Sequence, residues 1–185
     1  GREGKSFQIY KFATMLKDSP NIGTGTVTLR EDPRILPVGK FLRKTKINEL
    51  PQLLNVLKGD MSVIGPRPQT ERCFGAFPTP AQKSISQVRP GLSGIGSVVF
   101  RGEEEMMHGH TNPNWFYDNE IMPYKGLLEQ WYVEKQGLRL YLSLIAITLW
   151  VIFFTRSRII WRVFKSLPSR PASLDPFWGD RKTHQ

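Results

Sequence analysis

The sequence predicts an α+β fold, a small sheet with surrounding amphipathic helices, several of them at a membrane surface. Three observations predict it. Short β-prone runs, at residues 6–12, 26–30 and within 89–101, are separated by turns rich in Gly and Pro. Leu50, Leu53, Leu54 and Leu57 recur at helical spacing. Residues 140–154 are almost wholly apolar, broken only by Ser143 and Thr148.

The elements follow in chain order. SFQIYKF at 6–12 predicts a first strand, and after a polar loop from Asp18 to Gly25, residues 26–30 predict a second; Asp32-Pro33 marks a turn. Residues 40–44 predict about one helical turn. A clearer helix is predicted over 48–57: Asn48 is a favoured N-cap, Pro51 is tolerated in the first turn, and Gly59 lies just past the end. Its four leucines are expected to form one buried face. A loop holding Gly65, Pro66 and Pro68 follows, then a helix over 80–88. RPGLSGIGSVVFR at 89–101 predicts a turn leading into a strand that ends on arginine. Residues 103–114 predict a loop or helix start, and the aromatic-rich stretch beyond predicts one or two amphipathic helices.

The apolar run at 140–154 is shorter than the roughly 20 residues needed to cross a bilayer. It is flanked by Arg139 on one side and by Arg156, Arg158, Arg162 and Lys165 on the other, with Trp150 and Trp161 close by. This pattern predicts a helix lying among lipid headgroups, a buried core helix being the alternative. The organisation expected is a main domain at 1–135, an apolar and basic interface region at 136–167 and a flexible tail at 168–185, where Pro168, Pro171 and Pro176 cluster.

At 185 residues, 39% of them hydrophobic, the chain can form one domain with an ordinary core. Its 26 basic against 16 acidic residues give a net charge of +10, which favours anionic partners: nucleic acid, acidic membrane lipids or phosphorylated substrates. The single cysteine, Cys73, excludes an internal disulfide and suits a reducing compartment. The sequence opens on GREGKSF without a methionine and is read as a fragment, whose missing start has room for a targeting or membrane segment.

Residues 41–68, FLRKTKINELPQLLNVLKGDMSVIGPRP, concentrate the groups that could do chemistry. Transfer of a phosphoryl-linked group is mostly positioning and charge neutralisation, so a site needs cations, carboxylates for a metal, and a nucleophile. Arg43 precedes the predicted helix and Arg67 follows it between two prolines; either guanidinium can fork onto phosphate oxygens, or simply be a solvated charge. The helix start at Asn48-Glu49 is expected to offer free backbone N–H groups to an anion. Asn48 can equally be a plain N-cap and Glu49 a favourable first-turn acid. Asp60 either fixes its loop or reaches a metal. Glu103–Glu105 can lend a metal ligand or form a solvated face, and His108 with His110 lacks the further ligands of a zinc site.

The segments KFATM, DPRILPVGKFLRKTKINELPQLLNVLKGDMSVIGPRP, RPGLSGIGSVVFR and NEIMPYK, covering roughly residues 1–135, resemble the bacterial sugar transferases, the monotopic polyprenyl-phosphate phosphoglycosyl transferases. The resemblance assigns catalysis to the domain at 1–135 and implies transfer of a sugar phosphate from a nucleoside diphosphate sugar, commonly a UDP-sugar, to polyprenyl phosphate, with Mg²⁺ as cofactor. It also implies release of UMP, a re-entrant N-terminal membrane helix, and a place on the cytoplasmic face of the bacterial inner membrane. The family's Asp-Glu pair, whose Asp attacks the sugar-bearing phosphorus, falls on Asn48-Glu49. Arg43, Arg67, Arg89 and Arg101 become phosphate or substrate contacts, and Glu49 with Asp60 metal ligands.

A carboxamide carries no charge and is no credible nucleophile at neutral pH, so Asn48 departs from the pattern where the chemistry lies. Three readings follow. Glu49 attacks; or Glu49 holds the metal while the lipid phosphate attacks directly and Asn48 positions a phosphate; or the protein is an inactive membrane-bound scaffold of a glycan pathway. A nucleic-acid-binding module is disfavoured, because the sequence has no RNA-recognition strand pair, zinc knuckle or KH-type loop and its basic residues are dispersed.

Overall fold

The computed structural model describes residues 1–23, 28, 31–107, 110–154 and 157–178. Two short strands, β1 (Ser62–Ile64) and β2 (Gly91–Ser93), form a parallel pair in which Ser62 faces Gly91 and Ile64 faces Ser93. Helices α1 (Pro37–Thr45) and α2 (Gln52–Lys58) precede β1, and α3 (Glu71–Gly75) and α4 (Thr79–Ile85) make the crossover between the strands. After β2 come α5 (Ile95–Val99), α6 (Glu103–Met106), α7 (Pro113–Phe116), a π turn at Tyr117–Ile121, α8 (Met122–Lys135) and α9 (Leu138–Phe153). Helices α10 (Ile159–Val163) and α11 (Asp175–Trp178) close the described chain. The α+β expectation holds in its simplest form, mostly helix around a two-stranded sheet.

The core lies around α8. Ile121, Met122, Tyr124 and Leu128 are fully buried among residues from α4, α5 and α9. Val98, Val99 and Phe100 were expected to extend a strand to Arg101. Instead the chain turns into α5 after Ser93, because Ile95, Val98 and Val99 bury one face against the core. Tertiary burial here overrides β-propensity.

The tail at 168–185, expected to be flexible, is packed as far as the description reaches. Tyr124 donates a 2.8 Å hydrogen bond to the Pro168 carbonyl, Leu174 is fully buried, and the Trp178 ring lies 5.2 Å from that of Phe100. Apolar payload outweighs the prolines. Helix α9 buries Leu144, Ile147 and Val151 while Leu142, Leu149, Trp150 and Phe153 are exposed, so it joins core packing to an open apolar face. Among the described residues no helix is long and apolar enough to cross a membrane.

Residues 6–12 form no strand. Their backbone groups pair with side chains and turns instead: Tyr10 N–H donates to Asn55 Oδ1 at 3.0 Å, Asn55 Nδ2 donates to the Gln8 carbonyl at 2.7 Å, and Phe12 N–H donates to the Asn48 carbonyl at 3.0 Å. The second expected strand, 26–30, falls mostly outside the described residues. Asn55 is wholly buried, so α2 turns its polar side inward. Leu50, Leu53, Leu54 and Leu57, the expected buried face, are 53%, 45%, 53% and 83% exposed. The helical spacing is real and its direction is the reverse of that expected. On α1, Val38 and Phe41 are exposed in the same way.

Candidate active site

Lys46 ends α1 in the left-handed region, at φ 61° and ψ 8°, which turns the chain sharply into a 3-10 turn at Ile47–Glu49. Asn48 does not cap α2; Pro51 holds that place. The N–H groups of Glu49 and Leu50 are bonded to the carbonyls of Lys46 and Ile47 within the turn, so the free donors expected there for an anion are already used. Charge at this site comes from side chains.

Arg67 supplies most of it. The loop after β1 stays paired with β2, Gly65 N–H donating to Ser93 O at 2.9 Å and Gly91 N–H to Pro66 O at 2.8 Å. This fixes the backbone around Arg67. Its guanidinium donates to the Leu92 carbonyl at 3.0 Å and forks onto Glu49, with Nη2 2.5 Å from Oε1 and Nη1 3.2 Å from Oε2. Burial works against the Glu49 charge, but Arg67, by charge and hydrogen bond, with Lys46 and Lys11, holds the carboxyl below its ordinary range. Glu49 is therefore ionised at neutral pH.

Around this pair stand further cations. Lys46 is drawn down in pKa by partial loss of water and by the neighbouring Arg67 and Arg101, while Glu49 and Glu104 oppose the fall. Arg101 is half-buried, which lowers its pKa. Arg43 donates to Glu104 at 2.5 Å. The structure thus gathers Lys11, Arg43, Lys46, Arg67 and Arg101 around two carboxylates, Glu49 and Glu104. Such an excess of positive charge suits a ligand carrying two or more negative charges, such as a diphosphate.

Other expected participants lie elsewhere. Arg89 is exposed, and only its backbone approaches the loop, at Gly65. Asp60 sits beyond the far end of α2, where its N–H bonds Asn55 O at 3.0 Å and its charge acts on Lys58. A metal shared by Glu49 and Asp60 does not follow from this placement, because α2 separates them. Glu103 and Glu104 are not a solvated face: Glu103 takes a 2.7 Å bond from Lys125, and Glu104 takes Arg43. His108 lies outside the described residues, and His110 stacks on Phe116 at 3.9 Å. Among the described residues no three His, Cys, Asp or Glu side chains come together as a metal cluster.

Asn48 is buried, and its Oδ1 has no hydrogen-bond partner. The orphaned Asn48 oxygen and the ionised carboxylate of the next residue are both donors of the kind a hard cation takes, since Mg²⁺ commonly binds one or two protein oxygens together with substrate phosphates. Sequence reasoning missed Lys46, whose role depends on its left-handed turn; it weighed Glu104 as a metal ligand or solvated charge and missed its pairing with Arg43 across 61 positions.

Residues 1–155 match the bacterial sugar transferase family, and the chain belongs to it. Among its relatives is a galactosyl transferase, CpsE, of Streptococcus agalactiae, 41% identical over 111 residues that cover 55% of this chain and 24% of the relative. The undecaprenyl-phosphate galactose phosphotransferase of Salmonella typhimurium is 32% identical over 152 residues, 75% of this chain and 28% of that protein. A UDP-N-acetylgalactosamine-undecaprenyl-phosphate N-acetylgalactosaminephosphotransferase of Aeromonas hydrophila is 44% identical over 101 residues, covering 54% and 24%. The chain thus spans about a quarter of the length of each of these relatives.

Proposed function

We propose that this protein transfers a sugar phosphate from a UDP-sugar to polyprenyl phosphate, releasing UMP, at the cytoplasmic face of the bacterial inner membrane. The observation that carries the reading is the continuity of two surfaces. The 3-10 turn that bears Glu49 leads directly into α2, whose leucines face outward. A polyprenyl phosphate has its phosphate in water and its chain in lipid, so an acceptor site needs cations immediately beside an apolar face. The exposed side of α1 and α2, with Lys40, Lys44 and Lys58 also exposed, has the composition of a surface resting on acidic lipid.

In the reaction, an oxygen of the lipid phosphate forms a bond to the sugar-bearing phosphorus. The bond from that phosphorus to the bridging oxygen breaks, and UMP leaves with the electron pair. We favour direct attack by the lipid phosphate over attack by Glu49, because the Arg67 fork and lowered pKa leave that carboxylate weakly basic. Arg67, Lys46 and Arg101 would hold the diphosphate, and Arg43, once drawn from Glu104, the incoming phosphate. Glu49 and Asn48 Oδ1 would hold Mg²⁺, which when bound offsets charge on the diphosphate.

The test is turnover of the whole protein in nanodiscs with undecaprenyl phosphate, Mg²⁺ and a panel of UDP-sugars. UMP release that needs both lipid and metal supports the reading; none with any donor sinks it, leaving the scaffold role. A phosphosugar adduct mapped to Glu49 would replace direct attack by a covalent route.

A further inference from the structure

Lys125, Glu129 and Tyr132 of helix α8 are spaced so that they share one face of the helix. All three point under the site. Tyr132 donates to the Ile64 carbonyl at the end of β1 at 3.3 Å, and Lys125 donates to Glu103 at 2.7 Å, one residue from the partner of Arg43. Between them Glu129 is 1% exposed, and neither carboxylate oxygen has a hydrogen-bond partner. The backbone N–H groups of Arg67 and Gly96 face that carboxylate and favour its charged form without closing into good hydrogen-bond geometry.

The loops are shaped to admit this side chain. A Cβ on Gly96 would run into Glu129 Oε1, and a Cβ on Gly94 would run into the Gly65 carbonyl while lying 3.6 Å from Oε2. Two glycines thus give way where the loop after β1 and the start of α5 meet over Glu129. Their smallness serves contact within the protein.

A buried carboxylate without partners works against folding, and a neutral residue of the same shape would cost less. We infer that Glu129 is a positioning residue for the transfer reaction: its carboxylate draws the backbone of Arg67 and Gly96 downward and so keeps the Arg67 guanidinium aimed at Glu49 and the diphosphate. This rests on the transferase reading for its kinetic consequence, while the effect on the loops stands apart from it.

Charge on Glu129 is what holds the loops. Burial pushes its pKa up to about 7, opposed by Lys125 on the same helix, by the two N–H groups and by the Arg67 charge; Tyr132 is the other titratable group facing it. Protonation below that value releases the loops, so activity falls on the acid side of neutrality. Stability runs the other way. A carboxyl whose pKa is raised on folding favours the folded state below its ordinary value of 4.5, and loses that advantage as pH rises through about 7.

The experiment compares wild type, Glu129→Gln and Glu129→Asp in the full chain, by hydrogen exchange, melting temperature and UMP release from pH 5.5 to 8.5. Glu129→Gln is expected to melt higher than wild type at pH 8, with the gap closing toward pH 5.5. Its amides at Ile64, Gly65 and Arg67 and at 93–97 should exchange at least about 10-fold faster, those of α4 staying unchanged. Its kcat should fall at least about 10-fold with the acid limb near pH 7 removed, while Glu129→Asp recovers part of the rate. Unchanged exchange in those loops overturns the inference whatever the activity. Faster exchange with wild-type kcat and pH profile in an active enzyme also overturns it. Faster exchange in a protein that transfers nothing supports the loop effect and sinks the transferase reading instead.

Discussion

Helices α2 and α8 each bury a polar side chain beneath the site, and they treat it in opposite ways. Asn55 on α2 is satisfied on both sides of its amide, by Tyr10 N–H and the Gln8 carbonyl, and it fastens residues 8–10 to the fold. Glu129 on α8 has neither oxygen satisfied. A group whose purpose is to hold the fold is paired, because an unpaired buried polar atom costs stability. A group left unpaired has a different purpose, and its neighbours in the loop of Arg67 point to what that is. Glu49 sharpens the contrast: equally a carboxylate near Arg67, it is gripped by the guanidinium and stays ionised, while Glu129 is gripped by no side chain and burial pushes its pKa up to about 7.

The largest expected effect tests the gripped carboxylate. Glu49→Gln keeps size and shape but removes the one carboxylate of the turn and leaves Arg67 without its ionic partner. We expect UMP release to fall by about 10³-fold, roughly 4 kcal/mol of barrier, with the melting temperature moved little. Full turnover in this variant would end any role of Glu49 in attack or metal holding. Next is Asn55→Leu, close in volume yet unable to bond Tyr10 or Gln8. It should destabilise the protein by about 2–4 kcal/mol in urea titration, because two backbone groups lose their partners. Glu129→Gln, removing a buried polar charge, should stabilise at pH 8. Should both variants shift stability in one direction, the division between fastening and positioning would fail.

Much of the site was legible because its parts lie close in sequence. Arg43, Glu49 and Arg67 fall within 25 positions; the turn and the loop after β1 bring Glu49 to Arg67, and Arg43 joins them through Glu104. The leucine spacing showed a helix, but a period defines a stripe and not the direction it faces. Only the inward Asn55, bonded to residues 45 and 47 positions away, fixes that direction. The pairing of Glu104 with Arg43 and the place of Glu129 were hidden for the same reason, since each acts on a residue from a distant segment. The strand expected to end at Arg101 failed because Val98, Val99 and Phe100 suit a strand locally, and burial of Ile95, Val98 and Val99 decided for helix.

The outward face of α2 gives a smaller effect that separates lipid from core. Leu53, Leu54 and Leu57 changed together to Gln should leave urea stability within about 0.5 kcal/mol, since all three are already exposed. Binding to vesicles containing acidic lipid should weaken by about 100-fold in a flotation assay, as three apolar side chains lose their burial in the interface. Loss of folding with unchanged vesicle binding would return these leucines to a core role.

Lys46 offers the smallest change and the finest test, because its backbone and its charge pull against each other. At φ 61° a residue with a Cβ is strained, and glycine is not. Lys46→Gly should therefore hold or raise stability by up to about 1 kcal/mol, while transfer falls about 10-fold through loss of a cation beside Glu49. Lys46→Met keeps the strain and loses the charge, so it should match Lys46→Gly in rate and melt lower. If instead the two variants differed in rate and agreed in stability, the turn would matter to the site through its shape alone, and the five-cation account of diphosphate binding would lose the member that leads into the turn of Glu49.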